Sequence, residues 1–372
     1  MMLIGVPKEI KNHEYRVGLT PAGVRELSKA GHSVLVEHDA GAAIGLSNDA
    51  YQQAGAEIVT TADAIFQRAE LIVKVKEPLA AERQQLRPNQ ILFTYLHLAP
   101  DVEQTRDLLN SGASCIAYET VTDARGGLPL LAPMSEVAGR MAIQAGAHAL
   151  EKTQGGMGVL LGGVPGVGPA NVIVLGGGVV GINAARMAMG LGANVTVLDK
   201  SLERIKQLDA QFGPQLKTLF ATTESIEQSI QTADMVVGAI LLPGATAPKL
   251  ITRTMLASMK TGAVLVDVSI DQGGCFESSK PTTHDAPTYQ ERGVIHYCVA
   301  NMPGAVARTS TFALTNATLP FILALAQKGL KVALLDDKHL LAGLNIYQGQ
   351  VTYQAVAEAH GYDYSNPESL LN

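Results

Sequence analysis

Short aliphatic runs alternate along this chain with segments whose apolar residues recur every three or four positions. Alternation of strand-like and helix-like stretches is the pattern of sheets covered by helices. Met2–Val6, Val34–Glu37, Leu71–Lys76, Ile91–Leu96 and Ser114–Tyr118 read as a first series of strands. Thr20-Pro21 reads as an N-cap followed by proline at the first helical position, with the helix stopping near Gly31. A second series, Asn171–Leu175, Asn194–Leu198, Leu216–Phe220, Met235–Ala239, Val264–Val268 and Val294–Cys298, supplies the six strands of one complete doubly wound sheet.

Between the two series the chain turns at LLAPMS, and Ser135 is expected to cap a long helix, EVAGRMAIQAGAHALEK. The glycine-rich stretch Gly155–Gly168 reads either as a surface loop or as a loop closing over a ligand. After Asn301-Met302-Pro303-Gly304 comes a helical segment containing Phe312–Ala326, then a polar tail too short to fold alone. That tail is expected to return to the N-terminal part. The expected organisation is therefore a discontinuous substrate domain, 1–134 plus 306–372, and a second domain, 135–305. The expected fold class is α/β, with two Rossmann-like domains whose parallel doubly wound sheets flank a cleft and are joined by long helices.

Composition narrows the classes. Of 372 residues, 47% are hydrophobic and 17% charged, enough apolar material for cores and against disorder. The formal net charge of −6 offers no basic field for a phosphate backbone, so nucleic acid is excluded as a partner. Cys115, Cys275 and Cys298 form neither a C-x-x-C pair nor a metal cluster, which suggests reduced thiols in a cytosol-like compartment and no metal. Charge arrives by Lys8, too early for a secretory leader. Pro165, Pro169, Asn171, Asn183 and Arg186 break up the apolar region between residues 158 and 198, so no membrane crossing is expected there.

The most informative local motif is VIVLGGGVVGINAARMAMGLGANVTVLDK. It places Gly176-x-Gly178-x-x-Gly181 after an aliphatic strand and before a helix, and a second strand ends at Asp199, 21 residues beyond Gly178. Gly176 permits the tight turn, Gly178 leaves room for pyrophosphate, and Gly181 lets the helix pack close. The helix N-terminus at Val179 and Val180 offers unpaired N–H groups to phosphate. Asp199 can accept the adenine-ribose hydroxyls, and a carboxylate there repels a 2′-phosphate, which favours NAD over NADP.

In open α/β sheets, ligands sit beyond the carboxyl ends of strands. Four polar residues stand at such ends. His97 follows ILFTYL and can exchange a proton near neutral pH, or be a structural histidine. Lys76 closes LIVKVK, where Lys74 and Lys76 share a face and could equally form a solvated pair on an edge strand. Arg16 could clamp a carboxylate with its planar fork, or make a surface ion pair with Glu14 or Glu9. Asp271 lies beyond AVLVDVSI and before Gly273-Gly274, and is preferred over Asp267 inside the strand.

Together these stretches resemble the NAD-dependent alanine dehydrogenase family, which shares its N-terminal architecture with the transhydrogenase alpha subunits. The matching segments are GVPKEIKNHEYRVGLTPAGV, KVKEP, ILFTYLHLA, AYETV, LPLLAPMSEVAGR, GGVPGV, VDVSIDQGG, YCVANMPGAV and TFALTNATLP. The resemblance implies oxidative deamination of L-alanine to pyruvate and ammonia with NAD, and the reverse reductive amination. It implies substrate binding by Arg16 and Lys76 and catalysis by His97 and Asp271. Cofactor contacts are implied for Ser135, Asp199, Ile240, Leu241, the run Val268, Ser269, Ile270 and Asp271, and the run Val299, Ala300, Asn301 and Met302. At Lys280 the family often carries arginine, so a cofactor contact is carried over only weakly. A cytoplasmic homohexamer is also implied. Three rivals stand beside it: a soluble NAD-binding subunit of a proton-translocating transhydrogenase, a saccharopine-type dehydrogenase, and a non-catalytic NAD-binding module.

Overall fold

The structure, a computed structural model, describes residues 1–240 and 247–372. The chain divides into two compact units, Met1–Met134 with Val306–Asn372, and Ser135–Ala305.

The first unit contains β1 (Leu3–Val6), β2 (Ser33–Glu37), β3 (Ala56–Val59), β4 (Leu71–Val73), β5 (Ile91–Thr94) and β6 (Ser114–Ala117). The second contains β7 (Asn171–Leu175), β8 (Asn194–Asp199), β9 (Leu216–Phe220), β10 (Met235–Gly238), β11 (Val264–Asp267), β12 (Thr288–Glu291) and β13 (Val294–Tyr297). The tail adds β14 (Leu344–Tyr347) and β15 (Gln350–Val351) to the first. The strand orders are β15-β14-β6-β5-β4-β1-β2-β3 and β12-β13-β11-β10-β7-β8-β9.

Both sheets are mixed, not purely parallel as expected. β14 runs antiparallel to β6, and β12 antiparallel to β13. Two-residue hairpins join β12 to β13 and β14 to β15, and their loop residues have positive φ: Arg292-Gly293 (51° and 81°) and Gln348-Gly349 (45° and 82°). β3 and β12 escape the sequence pattern because they are short, partly exposed edge strands.

The second sheet is covered on both faces, as strand alternation requires. Val172, Val174, Val197, Val237 and Val266 pack with Ala142, Ile143, Ala184 and Ala188. The intervening Ile173, Leu175, Leu198, Val236 and Leu265 pack with Ile226, Ile230 and Phe276.

Three local expectations are corrected. β4 ends at Val73, short of Lys76, and lies inside the sheet between β1 and β5, so Lys74 and Lys76 are not on an edge strand. The long helix starts at Ala132 and runs to Ala149, so Ser135 sits within it rather than capping it. Pro133 is tolerated because first-turn N–H groups have no helical partner anyway. Within Gly155–Gly168, Val164 and Val167 exchange two backbone hydrogen bonds and close a tight turn.

The helix Ala307–Lys328 is longer than its sequence core suggested. Among the described residues, Met302–Lys328 is the one helical stretch long and apolar enough to cross a membrane, by length and composition only. Leu314, Thr318, Ile322 and Leu325 on it are buried, and Thr311 Oγ1 accepts the Val17 N–H at 3.3 Å. All three cysteines are buried and free of disulfides, and burial pushes the Cys115 thiol up to about 12 and the Cys298 thiol to about 11.

Candidate active site

Because β1, β4, β5 and β6 are parallel, the segments after them emerge at one end of the first sheet. That end collects Arg16, Lys76 and His97.

Arg16 is buried, and its guanidinium meets Glu14 fork to fork, Nε donating to Oε1 at 2.7 Å and Nη2 to Oε2 at 2.6 Å. Nη1 lies 3.2 Å from Met134 Sδ. Burial opposes the Arg16 charge, but hydrogen bonding and attraction from Glu14 more than offset it and hold the group protonated. The ion pair anticipated as the alternative to a clamp is thus present, but inside the protein and not on its surface.

Lys76 is partly buried, with its ammonium 4.0 Å from Glu77 Oε2, and Glu77 also pairs with Lys11. Its backbone is held on both sides. The Lys76 N–H donates to Glu9 Oε1 at 3.3 Å, and its carbonyl accepts Thr94 Oγ1 at 2.9 Å. Lys74 behaves quite differently. It is sealed in the interior, and its ammonium donates to Glu9 Oε2 at 3.2 Å and Glu82 Oε1 at 2.7 Å.

His97 is exposed and adopts a left-handed backbone, φ 51°. Its ring stacks on Tyr95 with centroids 5.9 Å apart and planes 7° off parallel. Glu119, which follows β6, accepts the His97 N–H at 2.6 Å and the Leu96 N–H at 3.2 Å. Tyr95 is buried, and its hydroxyl donates to the Leu130 carbonyl at 2.5 Å. Desolvation raises its pKa well beyond the usual tyrosine range, so it stays a neutral donor.

The second unit repeats the arrangement with a different set of groups. Gly176 has φ 98°, a conformation only glycine adopts without strain. A Cβ on Gly181 would lie 1.8 Å from the Gly176 carbonyl oxygen, whereas a Cβ on Gly178 would meet nothing within 4 Å. The helix is therefore pressed onto the turn, while the space above Gly178 is open. Val179 is exposed at the first turn and Val180 is buried beneath it. Asp199 Oδ2 accepts the Gly177 N–H at 2.7 Å and Oδ1 the Ser201 N–H at 2.7 Å, leaving each oxygen a further lone pair. Arg204 Nε donates to the Gly177 carbonyl. An open cradle, a helix N-terminus and a fixed carboxylate suit a dinucleotide.

At the end of β11, the two acids differ in burial. Asp267 is enclosed and accepts from the Ser269 N–H at 3.0 Å, the Cys275 N–H at 2.9 Å and Ser279 Oγ at 2.5 Å. It anchors the short turn that carries Val268, Ser269, Ile270 and Asp271, and Asp271 is exposed on that turn. Ser269 Oγ donates to the Ile240 carbonyl at 2.6 Å, tying the β10 and β11 ends together. Leu241 lies outside the described residues. After β13, Val299 and Met302 are buried, Ala300 is exposed, and Asn301 is left-handed (φ 62°) with its carbonyl 3.2 Å from His284 Nε2. The Lys280 ammonium lies 4.3 Å over the Tyr289 ring, a cation–π contact. Ser135 is partly buried in the fourth position of its helix.

Residues 5–138 match the alanine dehydrogenase/PNT N-terminal domain model, and residues 142–354 match the C-terminal domain model. The chain belongs to the alanine dehydrogenase/PNT family. An alanine dehydrogenase of Halomonas elongata is 62% identical, with 100% of both chains covered. A solved L-alanine dehydrogenase superposes with a TM-score of 0.94 at 50% identity, covering 97% of this chain and 99% of that one. A transhydrogenase from Sinorhizobium meliloti superposes with a TM-score of 0.83 at 24% identity, covering 94% of this chain and 100% of that one, a likeness of fold alone. The family implies a nicotinamide cofactor, and the glycine turn and Asp199 fit one.

Reading of single residues missed Glu82 and Glu119, and placed Glu9 and Glu14 only as surface partners of Arg16. It also missed Tyr95 and Arg204. Only Lys74 left a visible trace, a cation inside an aliphatic run.

Proposed function

We propose that the chain catalyses the oxidative deamination of L-alanine to pyruvate and ammonia with NAD, and the reverse reductive amination. Residues 1–134 and 306–372 form the substrate domain, and 135–305 the NAD domain. Arg16 and Lys76 hold the substrate carboxylate and the neighbouring oxygen, which supplies orientation. His97 moves the proton to and from the reacting oxygen or nitrogen, and Asp271 orients the water that adds in the deaminating direction. NAD, when bound, supplies the hydride acceptor. Gly176, Gly178 and Gly181 shape its pyrophosphate site, and Asp199 selects it over NADP by repelling a 2′-phosphate. The enzyme works in the cytoplasm as a homohexamer.

One observation carries this reading. Arg16, Lys76 and His97 stand at the same end of one sheet, with buried Glu14 and Glu9 fixing the Arg16 side chain and the Lys76 backbone and partly buried Glu119 fixing the His97 backbone.

The test follows NADH absorbance with pyruvate and ammonium. NADH is consumed only when both are present, and NADPH is a poor substitute. Since alanine must lose its ammonium proton before hydride departs, oxidation accelerates from neutral to alkaline pH. Dinucleotide binding with no turnover on any amino or oxo acid would overturn the enzyme reading in favour of a binding module.

A further inference from the structure

We infer that Glu9 is a positioning residue for Lys76, fixing where the Lys76 ammonium meets the substrate carboxylate. This rests on the reading of Lys76 as a substrate-binding residue. Past Val73 the Lys74 N–H still donates to the Phe93 carbonyl at 3.2 Å, and the N–H groups of Val75 and Lys76 need other acceptors. Glu9 Oε1 provides one for two successive groups, Val75 at 2.7 Å and Lys76 at 3.3 Å.

The other Glu9 oxygen is held by the Lys74 ammonium at 3.2 Å, and Lys74 is itself held by Glu82 at 2.7 Å. None of the three reaches solvent to any extent, with Lys74 at 0%, Glu82 at 3% and Glu9 at 6% exposure. Lys74 therefore cannot meet a substrate. Burial dominates at Glu9 and raises its pKa, while the Lys74 charge and the Val75 N–H oppose that rise. The Glu9 side chain pins the backbone from which Lys76 projects, and Thr94 pins the Lys76 carbonyl from the other side.

Two acids share the Lys74 ammonium, but only Glu9 reaches the Val75 and Lys76 amides. Glu82 caps Leu79 instead, accepting its N–H at 2.8 Å. That difference separates positioning from mere stability. Steady-state reductive amination is measured on the full chain for Glu9→Asp, Glu9→Gln, Glu82→Gln and Lys76→Ala. Glu9→Asp keeps the charge beside Lys74, so it folds even if Glu9→Gln does not, but it withdraws the oxygen from the amides. Glu9→Asp raises the pyruvate KM about tenfold, in the range a small misplacement of a binding group costs, Glu9→Gln keeps an acceptor oxygen and raises it less, and the NADH KM stays within about twofold in both. Glu82→Gln lowers the melting temperature but leaves the pyruvate KM within about twofold. An unchanged pyruvate KM in folded Glu9→Asp, or an equal rise in Glu82→Gln, overturns the proposal. If Lys76→Ala raises the pyruvate KM and the Glu9 variants do not, the role of Glu9 alone falls. If Lys76→Ala leaves it unchanged, the substrate reading of Lys76 falls, and Glu9 with it.

Discussion

Glu119 accepts the backbone N–H of His97 at 2.6 Å, and His97 is left-handed with φ 51°. A bulky residue in that region costs about 1–3 kcal/mol and persists only where its surroundings dictate it. Glu119 is that dictating group, since it also accepts the Leu96 N–H through both oxygens at 3.2 Å. The carboxylate aims the imidazole by fixing the backbone, and the Tyr95 ring fixes the plane.

Glu119→Ala therefore acts on turnover. With no acceptor for the two amides, the segment relaxes and the imidazole loses its aim. We expect kcat to fall about 10- to 100-fold, comparable with the loss from misplacing a general acid–base group. NADH affinity, followed by quenching of its fluorescence, stays unchanged. Glu119→Gln keeps one acceptor oxygen and loses less. Equal losses of kcat and NADH affinity would point to general unfolding instead.

The Arg16–Glu14 pair sets a second expectation. Both side chains are buried, so removing either leaves an uncompensated charge, at a cost of about 3–5 kcal/mol. Glu14→Gln should lower the melting temperature markedly. Arg16→Lys retains the charge and folds better, yet it loses the planar fork that serves Glu14 and a carboxylate together. Its kcat/KM for pyruvate should drop about 100-fold, with the loss mostly in KM.

The glycine turn separates fold from affinity. Gly178 has φ −66°, which alanine adopts freely, and an added Cβ meets no atom within 4 Å. Gly178→Ala should melt like the parent chain but bind NADH about tenfold more weakly, because the methyl occupies space reserved for pyrophosphate. Gly181→Ala puts a Cβ 1.8 Å from the Gly176 carbonyl oxygen, which requires the helix to move. It should lose stability as well as affinity. If both variants melt alike and bind alike, the open space above Gly178 is not where the dinucleotide lies.

Much of this architecture was legible because burial on both faces leaves unbroken aliphatic runs. Val172–Leu175 and Val264–Val266 could be read as strands for that reason. Ala56–Val59 and Thr288–Glu291 could not, since an edge strand with exposed polar positions looks like a loop. The glycine spacing and the strand-end polar residues were legible because the turn and the crevice constrain residue type locally. Glu119 was not, and Glu9 and Glu14 were legible only as surface partners of Arg16, because a carboxylate reads as solvated until tertiary contacts bury it. The alternative of a solvated Lys74–Lys76 pair on an edge fails because a cation inside LIVKVK demands an acid partner when its strand is interior. Ser135 looked like a cap because the helix start at Ala132 hides behind Pro133.

Asp267 gives a prediction whose sign depends on pH. Its carboxylate accepts from Ser269, Cys275 and Ser279, yet desolvation raises its pKa above the ordinary aspartate value despite those bonds. A folded-state pKa above the unfolded one means that protonated Asp267 favours folding. That contribution is complete below the unfolded value and is lost as pH rises through the folded one. Asp267→Asn has no such titration. It also leaves at least one of the three donors without an acceptor, so it should be less stable than the parent at every pH. The gap in melting temperature should be widest in acid and narrow as pH passes upward through the raised pKa. Because the same bonds anchor the turn that presents Asp271, kcat for alanine oxidation should fall about tenfold in Asp267→Asn at a pH where it is fully folded. A gap that widens with rising pH would mean that the buried carboxylate is stabilised by its donors more than burial disfavours it. Melting curves of the two proteins across the acid-to-neutral range decide between these outcomes.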